Sequence, residues 1–241
     1  EWHFRYDGDT DMARLHALDP ATGELRWSSV EWPERATPSI ARTPDGPLVL
    51  SPHGDAIDPR DGCVVLSGLG HLALIGPATD GARAYFVGAY EESGATGDGL
   101  ARAEAIDLQP THPPSFRRAG ALDLPPARFF APPILAGGRL LSVDRNGTLI
   151  ALDARRFDAL EQHPLRLNPV VRGSIAMAGE LLYVSNDAEQ FGSTTVVIEA
   201  KPPWREVGRN HLERFLGPPF FDHDRMYVRG VSHLYCIAQK R

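Results

Sequence analysis

"ALDPATGELRW", residues 17–27, places an apolar pair, an acid and a proline-containing turn ahead of a lone tryptophan. Asp19 closes the apolar run and can accept hydrogen bonds from backbone N–H groups of the turn that follows. Thr22 can do the same more weakly, and Gly23 supplies a backbone free to take the turn's conformation. Trp27 falls on the next strand, where its ring can cover a large neighbouring area. Ala17 opens the segment. The reading is a strand, a tight turn and a second strand, with Asp19 and Trp27 in structural roles.

The apolar-x-acid ending recurs along the chain. It stands at Asp19, Asp58 ("DAIDPRDG"), Asp107 ("EAIDLQPT"), Asp153 ("IALDARRF") and Glu199 ("VVIEAKPP"), and fades to Ala238 in "LYCIAQKR". The steps are 39, 49, 46, 46 and 39 residues. A period near forty is that of a four-stranded propeller blade. Each unit carries a short leading segment ("ATPSIA", "APPILA", "GSIAMA", "GPPFFD"), a tight turn and a β-rich run ("PLVLS", "AYFVGAY", "LLSVD", "LLYVS", "MYVRG"). The acid-bearing strand, a turn and a last strand follow. That predicts four antiparallel strands per unit. One such sheet cannot bury both faces alone, and stacking sheets around an axis buries them.

The composition agrees. The 241 residues include 23 glycines and 21 prolines, so turns are frequent, and no long helical stretch is present. The net charge of −6 comes with no basic stripe, which argues against nucleic acid as a partner. No apolar run approaches the roughly 18 residues of a membrane span. Cys63 and Cys236 lack metal-ligand spacing and are expected to be buried thiols. The chain opens on "EWHFRY" without a methionine and is expected to be a mature or truncated product.

The segment at 17–27 resembles the PQQ-like β-propeller repeat family, whose tryptophan-docking motif is A-x-D-x-x-T-G-x-x-x-W. Ala17, Asp19, Thr22, Gly23 and Trp27 fill it completely. Ala56, Asp58, Asp61 and Gly62 fill it in part, with Leu66 at the tryptophan position, and Asp107 and Asp153 keep the acid alone. The resemblance implies an all-β propeller over 1–241 as a single domain, with an incomplete first blade. Six blades, complete or partial, are expected, as a fragment of a seven- or eight-bladed ring. Trp27 is expected to be mostly buried between blades. The family includes quinoprotein dehydrogenases, non-catalytic scaffolds and propellers attached to protein kinases. Its resemblance implies an extracytoplasmic, periplasmic location; the residues themselves name no compartment and no oligomeric state.

A quinoprotein site would need a neighbouring-cysteine ring and a Ca²⁺ site of Glu, Asn and Asp. Cys63 and Cys236 are far apart and no metal-binding set can be matched, so neither PQQ nor Ca²⁺ is supported. No catalytic residue, cofactor residue or metal ligand is assigned. "DHD" at 222–224 stands where other units have a hairpin turn, and His53, His163, His211 and His233 show no metal pairing. The long connections remain. Insertions at 88–103 and 185–195 fall between the second and third strands, and the connection at 121–133 belongs to the same end of the blades. Binding groups are commonly mounted on such loops. Tyr90, Glu91, Glu92, Asp98, Phe129, Phe130, Asp187, Glu189 and Phe191 form the expected partner surface, an acidic rim around aromatics. The function expected is a non-catalytic module that binds or scaffolds a protein partner. The alternatives are a piece of a PQQ-dependent oxidoreductase and a ligand-sensing propeller attached to an effector domain.

Overall fold

The computed structural model describes residues 12–29, 32–33, 37–43, 45–52, 54–69, 75–89, 100–109, 115–188, 192–215 and 217–238. Among them every regular element is a β-strand. No helix is long and apolar enough to cross a membrane. The chain forms two compact units, Glu1–Ala127 and Arg128–Arg241.

The first unit starts with an interrupted hairpin: β1 (Met12–Ala13) pairs β4 (Trp32–Pro33), and β2 (His16–Leu18) pairs β3 (Leu25–Ser28). The Ser29 N–H donates to the Leu15 carbonyl and joins the two parts. Two four-stranded sheets follow. One runs β5 (Ser39–Thr43), β6 (Gly46–Leu50), β7 (Ala56–Ile57), β8 (Val64–Leu66). The other runs β9 (Ala78–Thr79), β10 (Arg83–Ala89), β11 (Ala101–Gln109), β12 (Ser115–Leu124).

The second unit repeats the plan. Its sheets are β13 (Ile134–Ala136) to β16 (Glu161–Pro164) through β14 (Arg139–Val143) and β15 (Thr148–Asp153), then β17 (Ala176–Ala178) to β20 (Glu206–Leu212) through β18 (Leu181–Ser185) and β19 (Ser193–Glu199). A three-stranded sheet of β21 (Phe220–Asp222), β22 (Arg225–Arg229) and β23 (Leu234–Ala238) closes it. All pairs are antiparallel and every sheet is a simple meander.

Alternation along the strands builds the cores, because successive side chains point to opposite faces. In the second unit Leu141 and Val143, Leu149 and Ala151, Leu182 and Val184, and Val196 and Ile198 are buried together at i, i+2 spacing. In the first, Ala41, Leu50 and Ala56 of one sheet pack on Ala84, Phe86, Ile106 and Leu108 of the next. Each fully buried Leu or Phe contributes about 1.5–3 kcal/mol. Stacked sheets therefore supply the burial that one sheet lacks.

The repeat is visible in backbone detail. The ladder to the fourth strand shifts register between Ala17 and Leu18, Ala56 and Ile57, Ala105 and Ile106, and Val197 and Ile198. Each shift ends one residue before the acid. Such bulges add local twist. The sheet bearing Asp153 has none, and a longer turn leads from β15 to β16 there.

One expectation needs correction. Cys63 and Cys236 are both exposed, because each lies on an outward-facing position near a sheet edge. Trp27 is partly buried, packed against a cluster of Leu15, Val49 and Ile57.

Candidate functional site

Three acids of the repeat, Asp19, Asp58 and Asp153, hold turns. Asp19 Oδ1 accepts from the Ala21 and Thr22 N–H groups at 2.9 and 3.2 Å, and Thr22 Oγ1 accepts from the Glu24 N–H. Asp153 Oδ1 does the same for Arg155 and Arg156. Each acid also has an arginine: Arg26 for Asp19, Arg60 for Asp58, Arg83 and Arg117 for Asp107, Arg156 for Asp153, Arg205 for Glu199. The Arg26 hydrogen bond, then the turn amides, hold the Asp19 carboxyl down at about 2. Asp19, Asp58 and Asp153 are occupied by the amides of their own turns, and Asp107 and Glu199 by arginine side chains.

The residue two places before each acid pairs across to a position that varies. Ala17 faces Trp27, Ala56 faces Leu66, Ala105 faces Gly120, Ala151 faces Glu161 and Val197 faces Gly208. Trp27 reaches the next sheet. Its Nε1–H donates to the Pro59 carbonyl at 2.8 Å, and its ring lies against Gly62. Between β16 and the following sheet the same joint is made with the roles exchanged. Glu161 stands on the outer strand, and the indole comes from Trp204 in the turn after Glu199. Its Nε1–H donates to Glu161 Oε2 at 3.1 Å, and Arg139 bonds Oε1 at 2.7 Å. Trp204 is 5% exposed. At Gly208 no side chain fills the joint, and a groove of about 530 Å³ opens there, lined by Tyr183, Val207, Phe221, Met226 and Ile237.

The opposite ends of the sheets in the second unit carry a different chemistry. There, connections between sheets are tied to turns between second and third strands by a series of backbone bonds. The Arg145 N–H donates to the Arg128 carbonyl, the Val171 N–H to the Arg145 carbonyl, the Asp187 N–H to the Val170 carbonyl and the Val231 N–H to the Arg214 carbonyl. Asp144 Oδ1 caps its own turn through the Asn146 and Thr148 N–H groups. On this frame Arg128 and Arg172 place their guanidinium carbons 5.4 and 6.0 Å from the centre of the Phe130 ring. Arg214 grips Asp187 with two bonds, 2.6 and 3.1 Å.

Comparison with known proteins concerns the fold. No protein-family model matches the sequence, and no curated protein matches it. Among solved structures, BamB from Moraxella catarrhalis superposes with a TM-score of 0.54 at 16% identity, over 97% of this chain and 83% of that one. A chain of the Mitotic Checkpoint Complex gives 0.64 at 12% identity, over 91% and 67%. A europium-containing methanol dehydrogenase gives 0.43 at 16%, over 59% and 25%. The fold is that of a β-propeller.

Within this propeller fold the expected partner residues fare differently. Tyr90, Glu91, Glu92, Asp98, Glu189 and Phe191 lie outside the described residues. Phe129 is 3% exposed and bridges to Asp144 through the backbone, so its ring belongs to the interior. Asp187 is buried against Arg214 rather than set on a rim, because a carboxylate that closes a joint between segments is desolvated and needs a cation. Phe130 is partly exposed, with arginines beside it. Among the described residues of this surface, Phe130 stands beside Arg128 and Arg172.

Its arginines had a legible signal. "RFFAPP" at 128–133 and "RFLGPP" at 214–219 repeat one pattern ahead of successive blades. Phe129 and Phe215 are both 3% exposed, and both preceding arginines accept a turn amide through their carbonyls. Cys63 and Cys236 are free thiols in different units, and among the described residues no three His, Cys, Asp or Glu side chains converge. The "DHD" of 222–224 is the turn between β21 and β22.

Proposed function

We propose that the chain is a non-catalytic propeller that binds a protein partner through the turn-and-connection end of the unit Arg128–Arg241. The observation that carries this is the Arg128–Phe130–Arg172 array. It offers a partly exposed ring and two cations on a frame of paired backbone groups, so little ordering is left to be done on binding. Arginines and aromatics are the side chains that dominate protein interfaces. One of the similar folds comes from a structure named as a complex, which accords with this use of the architecture.

The test is affinity capture from the native source with the intact chain and with a triple variant, Arg128→Ala, Phe130→Ala and Arg172→Ala. Loss of a partner in the variant, with its melting curve unchanged, is the expected result. Retention of every partner removes the reading. Reduction of an artificial electron acceptor on addition of pyrroloquinoline quinone and Ca²⁺ would replace it with an oxidoreductase.

A further inference from the structure

Asp187 needs only one of the two arginines near it. Arg214 occupies both of its carboxylate oxygens, while Arg172 stands at 3.7 Å with its side chain 46% exposed. Arg172 thus shares one carboxylate with Arg214, two cations to one anion. Arg128, across the Phe130 ring, has no carboxylate within 4.0 Å among the described residues. Arg145 lies on the turn whose backbone bonds both the Arg128 segment and the Arg172 segment. Its Nε is buried and finds no hydrogen-bond acceptor among the described residues. A buried donor left unpaired costs about 1–3 kcal/mol, more when charged. Two guanidinium groups, those of Arg128 and Arg172, thus stand beside one partly exposed aromatic ring, in a chain whose net charge is −6.

We infer that this array binds a carboxylate-rich segment of the partner protein. The inference rests on the reading above that this end of the unit is the interaction surface. Guanidinium forks match carboxylates with two parallel hydrogen bonds. The Phe130 ring, already flanked by cations, gives an apolar seat for the residue between two acids. A nucleic-acid backbone would ask for a long basic stripe, and the negative net charge opposes a polyanion, whereas two or three carboxylates need only this local cluster.

The experiment uses the full chain and dye-labelled decapeptides of alternating Glu and Phe, with matched peptides carrying Gln or Lys for Glu, read by fluorescence anisotropy. The Glu peptide binds at least tenfold tighter than the Gln peptide at low salt, and its affinity falls with added salt. In the double variant Arg128→Gln, Arg172→Gln it loses at least tenfold, while Arg128→Lys, Arg172→Lys recovers part of the loss. Equal binding of the Glu and Gln peptides overturns the inference, as does a double variant that binds like the parent. Tighter binding of a thymidine decanucleotide than of the Glu peptide overturns it in favour of nucleic acid. If native partners are lost in the alanine triple variant while Glu and Gln peptides bind alike, the surface stands and its preference for carboxylates falls.

Discussion

The indole of Trp27 occupies the space that a β-carbon on Gly62 would need. A β-carbon there would lie 2.7 and 2.8 Å from two ring atoms, and Gly62 has φ +77°. The tryptophan of one blade and the turn glycine of the next are thus one joint, held also by the bond from Nε1 to the Pro59 carbonyl.

That joint predicts coupling. Trp27→Ala removes a partly buried ring and a hydrogen bond, and costs about 2–3 kcal/mol, below the loss for a fully buried tryptophan. Gly62→Ala costs about 1–3 kcal/mol from the left-handed backbone and the displaced ring. In the Trp27→Ala background the steric part vanishes and only the backbone strain remains. Urea denaturation of the two single variants and the double variant measures this. Additive losses would show that ring and glycine are independent.

The exchanged joint predicts a graded series. Trp204→Ala empties a site that is 5% exposed and costs about 3–5 kcal/mol. Trp204→Phe keeps most of the bulk but leaves Glu161 without the indole donor, a loss of about 1 kcal/mol. Arg139 still pairs with Glu161 in that variant. Denaturation midpoints of the two variants check the order.

The unfilled joint predicts a gain. Gly208 faces Val197 as Trp27 faces Ala17, its backbone is outside the left-handed region, and an added β-carbon meets only Val197 at ordinary contact distance. Gly208→Leu removes a strand glycine and covers part of the groove. It raises stability by about 1 kcal/mol. A thermal midpoint that fails to rise shows that the groove cannot close on an aliphatic side chain.

The turn acids predict an acid limit. The Asp19 carboxyl is held down at about 2 in the fold; the Arg60 side chain and then its backbone N–H hold Asp58 below the usual carboxylate range, and the backbone N–H groups of Arg156 and Arg155 do so for Asp153. Between the unfolded carboxylate range near 4 and about 2, the unfolded chain binds more protons than the folded one. Stability therefore rises with pH across that window and is lost as pH falls through it. Denaturation midpoints from pH 5 to pH 2 measure the decline. Asp19→Asn, which cannot ionise, shows a shallower slope than the parent.

Strands, meander order and the place of each acid were legible because they rest on local chemistry. The alternation of Leu141 and Val143, the turn glycine at 23 and the acid that caps its own turn act within a few residues of chain. The period near forty carried the rest, since equal units must stack in equal ways. Even the substitution of Leu66 for tryptophan was readable, and the register of Ala56 with Leu66 matches that of Ala17 with Trp27.

Tertiary structure alone decided which charges are satisfied. Asp187 reads as a loop acid, yet its partner Arg214 lies 27 residues away and buries it. Trp204 reads as a turn residue, yet Glu161, 43 residues back, gives its indole an acceptor. Phe129 and Phe130 are neighbours in the chain, and only the frame around Arg128 and Arg145 sends one inward and leaves the other beside two arginines. Burial and pairing are properties of segments brought together from far apart in the chain. The free energy of a charge depends on what surrounds it in space, so local pattern could place these residues on turns but could not assign their partners.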